Sequence, residues 1–251
     1  MLTALGREVA GRARRILDEV RSLSDVARGA GRPLSGPLSL GVIPTVGPYL
    51  LPGLLPAVRT AFPDLQLILR EDRTARLVED LLAGRLDLLL LALPVDAPGV
   101  ETFGLYDEPF VLAAPRGHPL AAREQPAQAE LANHAVLLLE DGHCLRDQAL
   151  AVCSSAGALE TAFQATSLNT LAQMVANGLG VSLLPALAAP VESQSAPGLV
   201  VRAFAPPAPA RRVGLAWRTT STRRPEFLML GAFLQRHLPA GVRAVPPPDG
   251  C

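Results

Sequence analysis

The sequence predicts an α/β protein of two lobes, each a sheet of short apolar strands covered by amphipathic helices. Three observations predict it. Short apolar runs alternate with helix-period segments from Leu38 onward. The first set reads β-α-β-α-β, the order of a parallel sheet with helices on its faces. A second set repeats the alternation, and a late strand and helix return to close the fold.

Leu38 to Ile43 is a strand, Tyr49 to Phe62 a helix, Leu65 to Glu71 a strand and Thr74 to Leu82 a helix. Leu86 to Leu93 lacks polar alternation, as a strand buried on both faces does. Strands are expected at Phe110 to Ala114 and Ala135 to Glu140, then a helix from about Leu145. Phe163 to Ser167 is a strand, Leu168 to Asn177 a helix that Gly178 and Gly180 end, and Val181 to Leu184 and Leu199 to Phe204 are strands. Val213 to Trp217 and a helix around Pro225 to His237 complete the set. The chain should therefore cross between lobes near Asp107 and again near Arg212, with a ligand cleft between the lobes. The expected partition is a first lobe of residues 33–107 plus 213–238, a second of 108–212, and a proline-rich frayed tail of 239–251.

Residues 1–32 carry a different signal. Val9, Ala13, Ile16, Val20, Leu23 and Ala27 recur at alternating four- and three-residue spacings, a heptad seam flanked by charges such as Glu8 and Arg12. A self-pairing linker helix is favoured over a helix packed on its own domain. A breaker stretch (Gly29, Gly31, Pro33, Gly36, Pro37) separates it from the first strand.

Bulk composition excludes several classes. Of 251 residues 49% are hydrophobic and 18% charged, which marks a folded chain and not a disordered one. Basic and acidic residues balance at 23 each, so the bulk field does not drive nucleic-acid binding. The arginine-rich N-terminus has no apolar signal core, and the run from Leu88 to Pro94 is too short for a bilayer. A cytoplasmic location is expected, where thiols stay reduced and the three cysteines are either inert or redox-active. No zinc-ligand spacing, phosphate loop or nucleophile elbow occurs, so neither a metal nor another cofactor is expected.

The sharpest local feature is the run Glu140-Asp141-Gly142-His143-Cys144-Leu145-Arg146-Asp147-Gln148. It lies where a buried strand turns into a helix, with Asp141 placed to cap it and Cys144 in the first turn. A helix N-terminus, Arg146 and a protonated His143 would each favour the thiolate, the form that attacks a peroxide oxygen. The competing reading is a small buried hydrophobe. Cys153 lies nine residues on, which an unbroken helix would make a rise of about 13.5 Å. A disulfide needs Cα atoms roughly 4.4–6.8 Å apart, so a bridge here forms only if the helix melts or refolds. Two unrelated helix cysteines is the other reading of that spacing. Thr45 and Thr74 each stand between a strand and a helix, either facing the cleft or capping the helix.

With these segments in view, the chain resembles the linker helix and regulatory domain of LysR-type transcriptional regulators, and among them the hydrogen-peroxide-inducible activators. The resemblance is carried by Ile43 to Pro52, Leu139 to Ala149, Ala165 to Leu168 and Leu183 to Ala188. It implies two Rossmann-like lobes of the periplasmic-binding-protein (type 2) kind, paired as dimers or tetramers. It implies Cys144 as the peroxidatic and Cys153 as the resolving cysteine, with Thr45, Thr74, Gly142 and His143 lining a peroxide pocket. Arg146 and Asp147 would form the network that yields on oxidation. Hydrogen peroxide is the implied signal and a thiol reductant resets it. DNA and RNA polymerase would be met only through a full-length parent, because the family's winged helix-turn-helix is absent from this chain. Two other classes compete: a domain binding a small anion in the cleft with passive cysteines, and a thiol peroxidase enzyme.

Overall fold

The computed structural model describes residues 33–246 together with isolated positions among the first thirteen. The heptad seam of residues 1–32 and Cys251 therefore fall outside the described residues, apart from those isolated positions.

The first lobe opens with β1 (Gly36–Val42), α1 (Gly47–Ala61), β2 (Leu65–Glu71), α2 (Thr74–Leu82) and β3 (Leu88–Leu93). β1 pairs in parallel with β2 on one side and β3 on the other. The four leucines Leu88 to Leu91 are all at most 1% exposed, which is why this strand shows no polar alternation. Burying each such side chain is worth about 1.5–3 kcal/mol. Gly41 in β1 lets α2 lie close. A Cβ there would stand 2.7 Å from Leu86 and Leu89 and 2.9 Å from Leu77. Helix α1 tolerates Pro52 and Pro56 inside it because both lie on its exposed face.

A single long strand, β4 (Val100–Pro115), then leaves the first lobe and enters the second. Its first half pairs antiparallel with β9 (Ala210–Arg218), with a register shift between Gly104 and Tyr106. β9 in turn pairs with β3, giving the first-lobe order β4-β9-β3-β1-β2. The second half of β4 pairs with β7 (Ser182–Pro185) and β8 (Leu199–Ala203). β5 (Ala135–Leu139) and β6 (Leu159–Ala165) run parallel and join this sheet through the Val136–Val181 bridge. The helices α3 (Cys144–Ala156), α4 (Leu168–Ala176) and α5 (Ala189–Ser195) belong to the second lobe; α6 (Arg224–Gln235) packs on the first.

Two cores result. One joins residues from Leu34 to Tyr106 with Val213 to Leu234 and is centred on Trp217 and Phe227, whose rings lie 5.7 Å apart. The other runs from Phe110 to Phe204. The strand expected at Phe110 to Ala114 is thus the second half of a longer one. Helix α5 has no counterpart among the expected elements, its alanine, proline and serine content giving no helical period. Residues 243 and 244, expected in a frayed tail, pair with β4 as β10 (Arg243–Ala244), and Gln235 ties Val245 down with a 2.8 Å bond to its carbonyl. No helix among the described residues is long and apolar enough to cross a membrane.

Candidate functional site

Cys144 is the first residue of α3, half-buried, and its side chain packs against the first lobe's core although α3 belongs to the second lobe. The helix begins differently from expectation. Its N-cap is His143, whose side chain makes no capping bond, and Asp141 lies two residues earlier. Gly142, at φ +92°, turns the chain so that the Asp141 carboxylate meets Arg146 Nε at 2.8 Å instead of the helix amides. A left-handed residue at this point favours glycine.

Arg146 is fully committed. It donates to the Leu139 carbonyl at 3.1 Å and to Glu160 at 2.6 Å, as well as pairing with Asp141. The hydrogen bond to Glu160 is the main reason its guanidinium is held even more firmly protonated than usual. It therefore pins the end of β5, the turn at Asp141 and β6 together, and is not a free cation beside the thiol. Asp147 is exposed in the first turn of α3.

His143 is 6% exposed. Burial lowers its pKa from the ordinary histidine value, the positive charge of Arg73 lowers it further, and Glu140 opposes both. The imidazole is therefore neutral at neutral pH, which removes the expected cationic help to the thiol. Its Nε2 is buried and has no hydrogen-bond partner among the described residues. The same holds for Thr74 Oγ1, on the first residue of α2, and for Gln148 Oε1, one helical turn beyond Cys144.

Neither threonine caps its helix. Arg73 is the N-cap before Thr74. Thr45 is 3% exposed and belongs to a buried polar node. Arg211 donates to Thr45 Oγ1 at 2.9 Å and to its carbonyl at 2.8 Å. Arg211 also pairs with Glu108 at 2.8 Å, both side chains 1% exposed. Glu108 accepts from the Leu187 amide at 2.9 Å. Glu108 and Arg211 are cross-strand partners on β4 and β9, where these strands pass between the lobes. A second contact between lobes joins Tyr49 of α1 to the buried Glu192 of α5, 2.5 Å apart, and burial raises the tyrosine's pKa further from neutrality.

Cys153 lies on the same unbroken helix as Cys144, and both thiols are free. It is 4% exposed, and burial pushes its thiol pKa up to about 11.

Sequence reasoning missed Arg73, Glu108, Arg211 and Gln148. Gln148 was findable, four residues after Cys144 on a helix and thus on its face. The opposed doublets Asp107-Glu108 and Arg211-Arg212 at the two crossover points were the only hint of the buried pair.

With this arrangement established, comparison with known proteins defines the class. The family model described as LysR substrate binding domain matches residues 31–239, and the chain belongs to that family. A Streptomyces viridosporus protein named "Probable hydrogen peroxide-inducible genes activator" is 45% identical over 247 residues, covering 96% of this chain and 79% of that protein. The Escherichia coli K12 "DNA-binding transcriptional dual regulator OxyR" is 43% identical over 239 residues, covering 95% and 78%. Within the family the chain is thus of the OxyR type, the hydrogen peroxide-inducible activators. Among solved structures, a cysteine mutant of Corynebacterium glutamicum OxyR with hydrogen peroxide bound superposes with a TM-score of 0.79 at 38% identity, covering 94% of this chain and 76% of that one. The oxidized form of OxyR gives 0.74 at 45% identity, covering 81% and 96%.

Proposed function

We propose that this chain senses hydrogen peroxide through Cys144 and reports it by a Cys144–Cys153 disulfide that forces α3 to refold. One observation carries the reading. Three buried polar atoms, Thr74 Oγ1, His143 Nε2 and Gln148 Oε1, have no partner among the described residues; His143 and Gln148 flank Cys144 in sequence, and Thr74 follows Arg73, which bonds the turn before Cys144. Each such atom costs about 1–3 kcal/mol. A small, uncharged molecule that both donates and accepts would satisfy them, and hydrogen peroxide is one.

The roles follow from the chemistry of each group. The Cys144 thiolate attacks one peroxide oxygen, the O–O bond breaks, and the departing hydroxide takes up a proton to leave as water. A sulfenic acid remains on Cys144. Neutral His143 can donate or accept at Nε2. Thr45, whose oxygen already accepts from Arg211, keeps its hydroxyl proton to donate toward the departing oxygen. Gly142 gives the turn its shape. Cys153 then attacks the sulfenyl sulfur, loses its proton and releases a second water. Two thiols and one peroxide become a disulfide and two waters, and a dithiol reductant reverses the change.

The geometry supports a switch. Cys153 is buried, protonated and a helix length from Cys144, so the second step waits for α3 to unwind. Arg146, with Asp147 beside it, forms the network that must yield. In this reading residues 33–107 plus 213–238 and residues 108–212 act as two lobes. Self-association runs through the heptad seam of residues 1–32, while DNA and RNA polymerase are engaged by the full-length regulator in the reducing cytoplasm.

Peroxide titration of the reduced protein with peptide mass mapping tests it. One Cys144–Cys153 disulfide per chain is expected, with no further consumption until a reductant is added. Continued turnover would point to a peroxidase instead. Unmodified Cys144 at low peroxide, or equal oxidation of Cys144→Ser, would overturn the reading.

A further inference from the structure

We propose that Arg73 is a positioning residue that clasps the redox turn to the first lobe, so that its release governs how readily Cys144 enters the disulfide. The inference rests on the peroxide-switch reading and adds to it a residue outside the cysteine segment.

Arg73 sits in the connection between β2 and α2, entirely within the first lobe. Its own amide donates to Asp72 Oδ1 at 2.8 Å, which fixes that connection. Its guanidinium crosses to the second lobe. There it donates to the Asp141 carbonyl at 3.1 Å and pairs with the Glu140 carboxylate. Its Cδ lies 3.2 Å from where a Cβ on residue 142 would be, so the side chain lies flat over Gly142.

The three residues held, Glu140 to Gly142, are those that lead into His143 and Cys144. The residue after Arg73 is Thr74, with its unpartnered hydroxyl. Arg73 therefore ties the turn that leads into one wall of the proposed peroxide site to the connection that leads into the other. The other hold on this turn, Arg146 to Asp141, lies within the second lobe and cannot do so.

The contacts belong to the dithiol form. Refolding the start of α3 must break them, so they bias the equilibrium toward the thiols. Arg73 and Glu140 are 45% and 31% exposed, and water screens the pair. Two hydrogen bonds to separate groups, one of them charge-assisted, keep the effect measurable, at roughly three- to tenfold on the dithiol–disulfide equilibrium. For a two-electron couple a tenfold change is about 30 mV, so loss of the clasp should make the midpoint potential more negative by about 15–30 mV.

The test uses the reduced protein, Arg73→Gln, Arg73→Lys, and the swap Arg73→Glu with Glu140→Arg. Two readouts apply: the rate of disulfide appearance after rapid peroxide mixing and alkylation, and the potential from equilibration in dithiol buffers. Arg73→Gln should form the disulfide three- to tenfold faster and shift the potential downward. Arg73→Lys should lie between, and the swap should return toward the parent. A dithiol–disulfide equilibrium constant for Arg73→Gln within twofold of the parent's, or lowered unfolding stability with an unchanged thiol equilibrium, would overturn the clasp while leaving the switch intact. Absence of any Cys144–Cys153 disulfide in the parent would overturn the switch itself.

Discussion

Replacing Arg211 with methionine removes the donor from three buried acceptors at once. Glu108 Oε2, Thr45 Oγ1 and the Thr45 carbonyl each lie within 2.9 Å of its guanidinium. Glu108 would keep only the Leu187 amide, on its other oxygen. Breaking a buried ion pair by removing one partner costs about 3–5 kcal/mol, because the remaining charge stays desolvated. With a urea m-value of about 2–3 kcal/mol/M, that moves the unfolding midpoint down by roughly 1–2.5 M. Replacing both Arg211 and Glu108 with methionine removes the charge together with its partner, and should cost less than Arg211→Met alone. Urea denaturation of the single and double variants decides the matter. A loss below about 1 kcal/mol for Arg211→Met, or strictly additive losses in the double variant, would refute the claim that this pair is dry and coupled.

Two further outcomes concern the site. Cys153 keeps its proton in the folded chain up to about pH 11, against an ordinary value of 9.0. Between these the unfolded chain is the more ionised, so stability is fully present below the lower value and is lost as pH rises through the upper one. Two units at about 1.4 kcal/mol each set the loss near 3 kcal/mol. Tyr49 and Tyr106 are also raised by burial, so the readout is the difference between the reduced parent and Cys153→Ala. Identical slopes in the two would sink the assignment. Gly142→Ala forces a side chain into left-handed backbone and against Arg73 Cδ, and should destabilise the reduced form by about 1–2 kcal/mol in thermal unfolding. An unchanged melting temperature would show that the turn relaxes freely.

Much of the first lobe was legible because its elements obey simple periods. The bounds expected for β2 and α2 coincide with those observed, and the unbroken leucine run announced β3. The sequence hid β4. Gly104, Asp107, Glu108 and Pro109 interrupt its apolar pattern, since the strand changes environment midway and carries a buried charge where it passes between cores. At the site, the residue types around Cys144 were readable from one local run. Partnerships were not. Asp141 was expected on helix amides and lies on Arg146, and Thr45 was expected at a cap or facing the cleft and lies on Arg211. The second pairing joins residues 166 apart in the chain, which no local window contains; the first turns on the left-handed backbone of Gly142, which residue types alone do not announce. Arg73 was likewise invisible, because its partners are in the other lobe.

The long strand β4 also bears on any attempt to move this sensor elsewhere. Both lobes build their sheets on the same sixteen residues, and Cys144 rests on the core of the lobe that does not supply its helix. Cutting at the lobe boundary would sever β4 and take away the first-lobe core on which Cys144 packs. The cysteine segment is therefore not a portable cassette. A hybrid regulator that borrows this response has to take residues 33–246 as one piece, with its fusion joints outside both sheets.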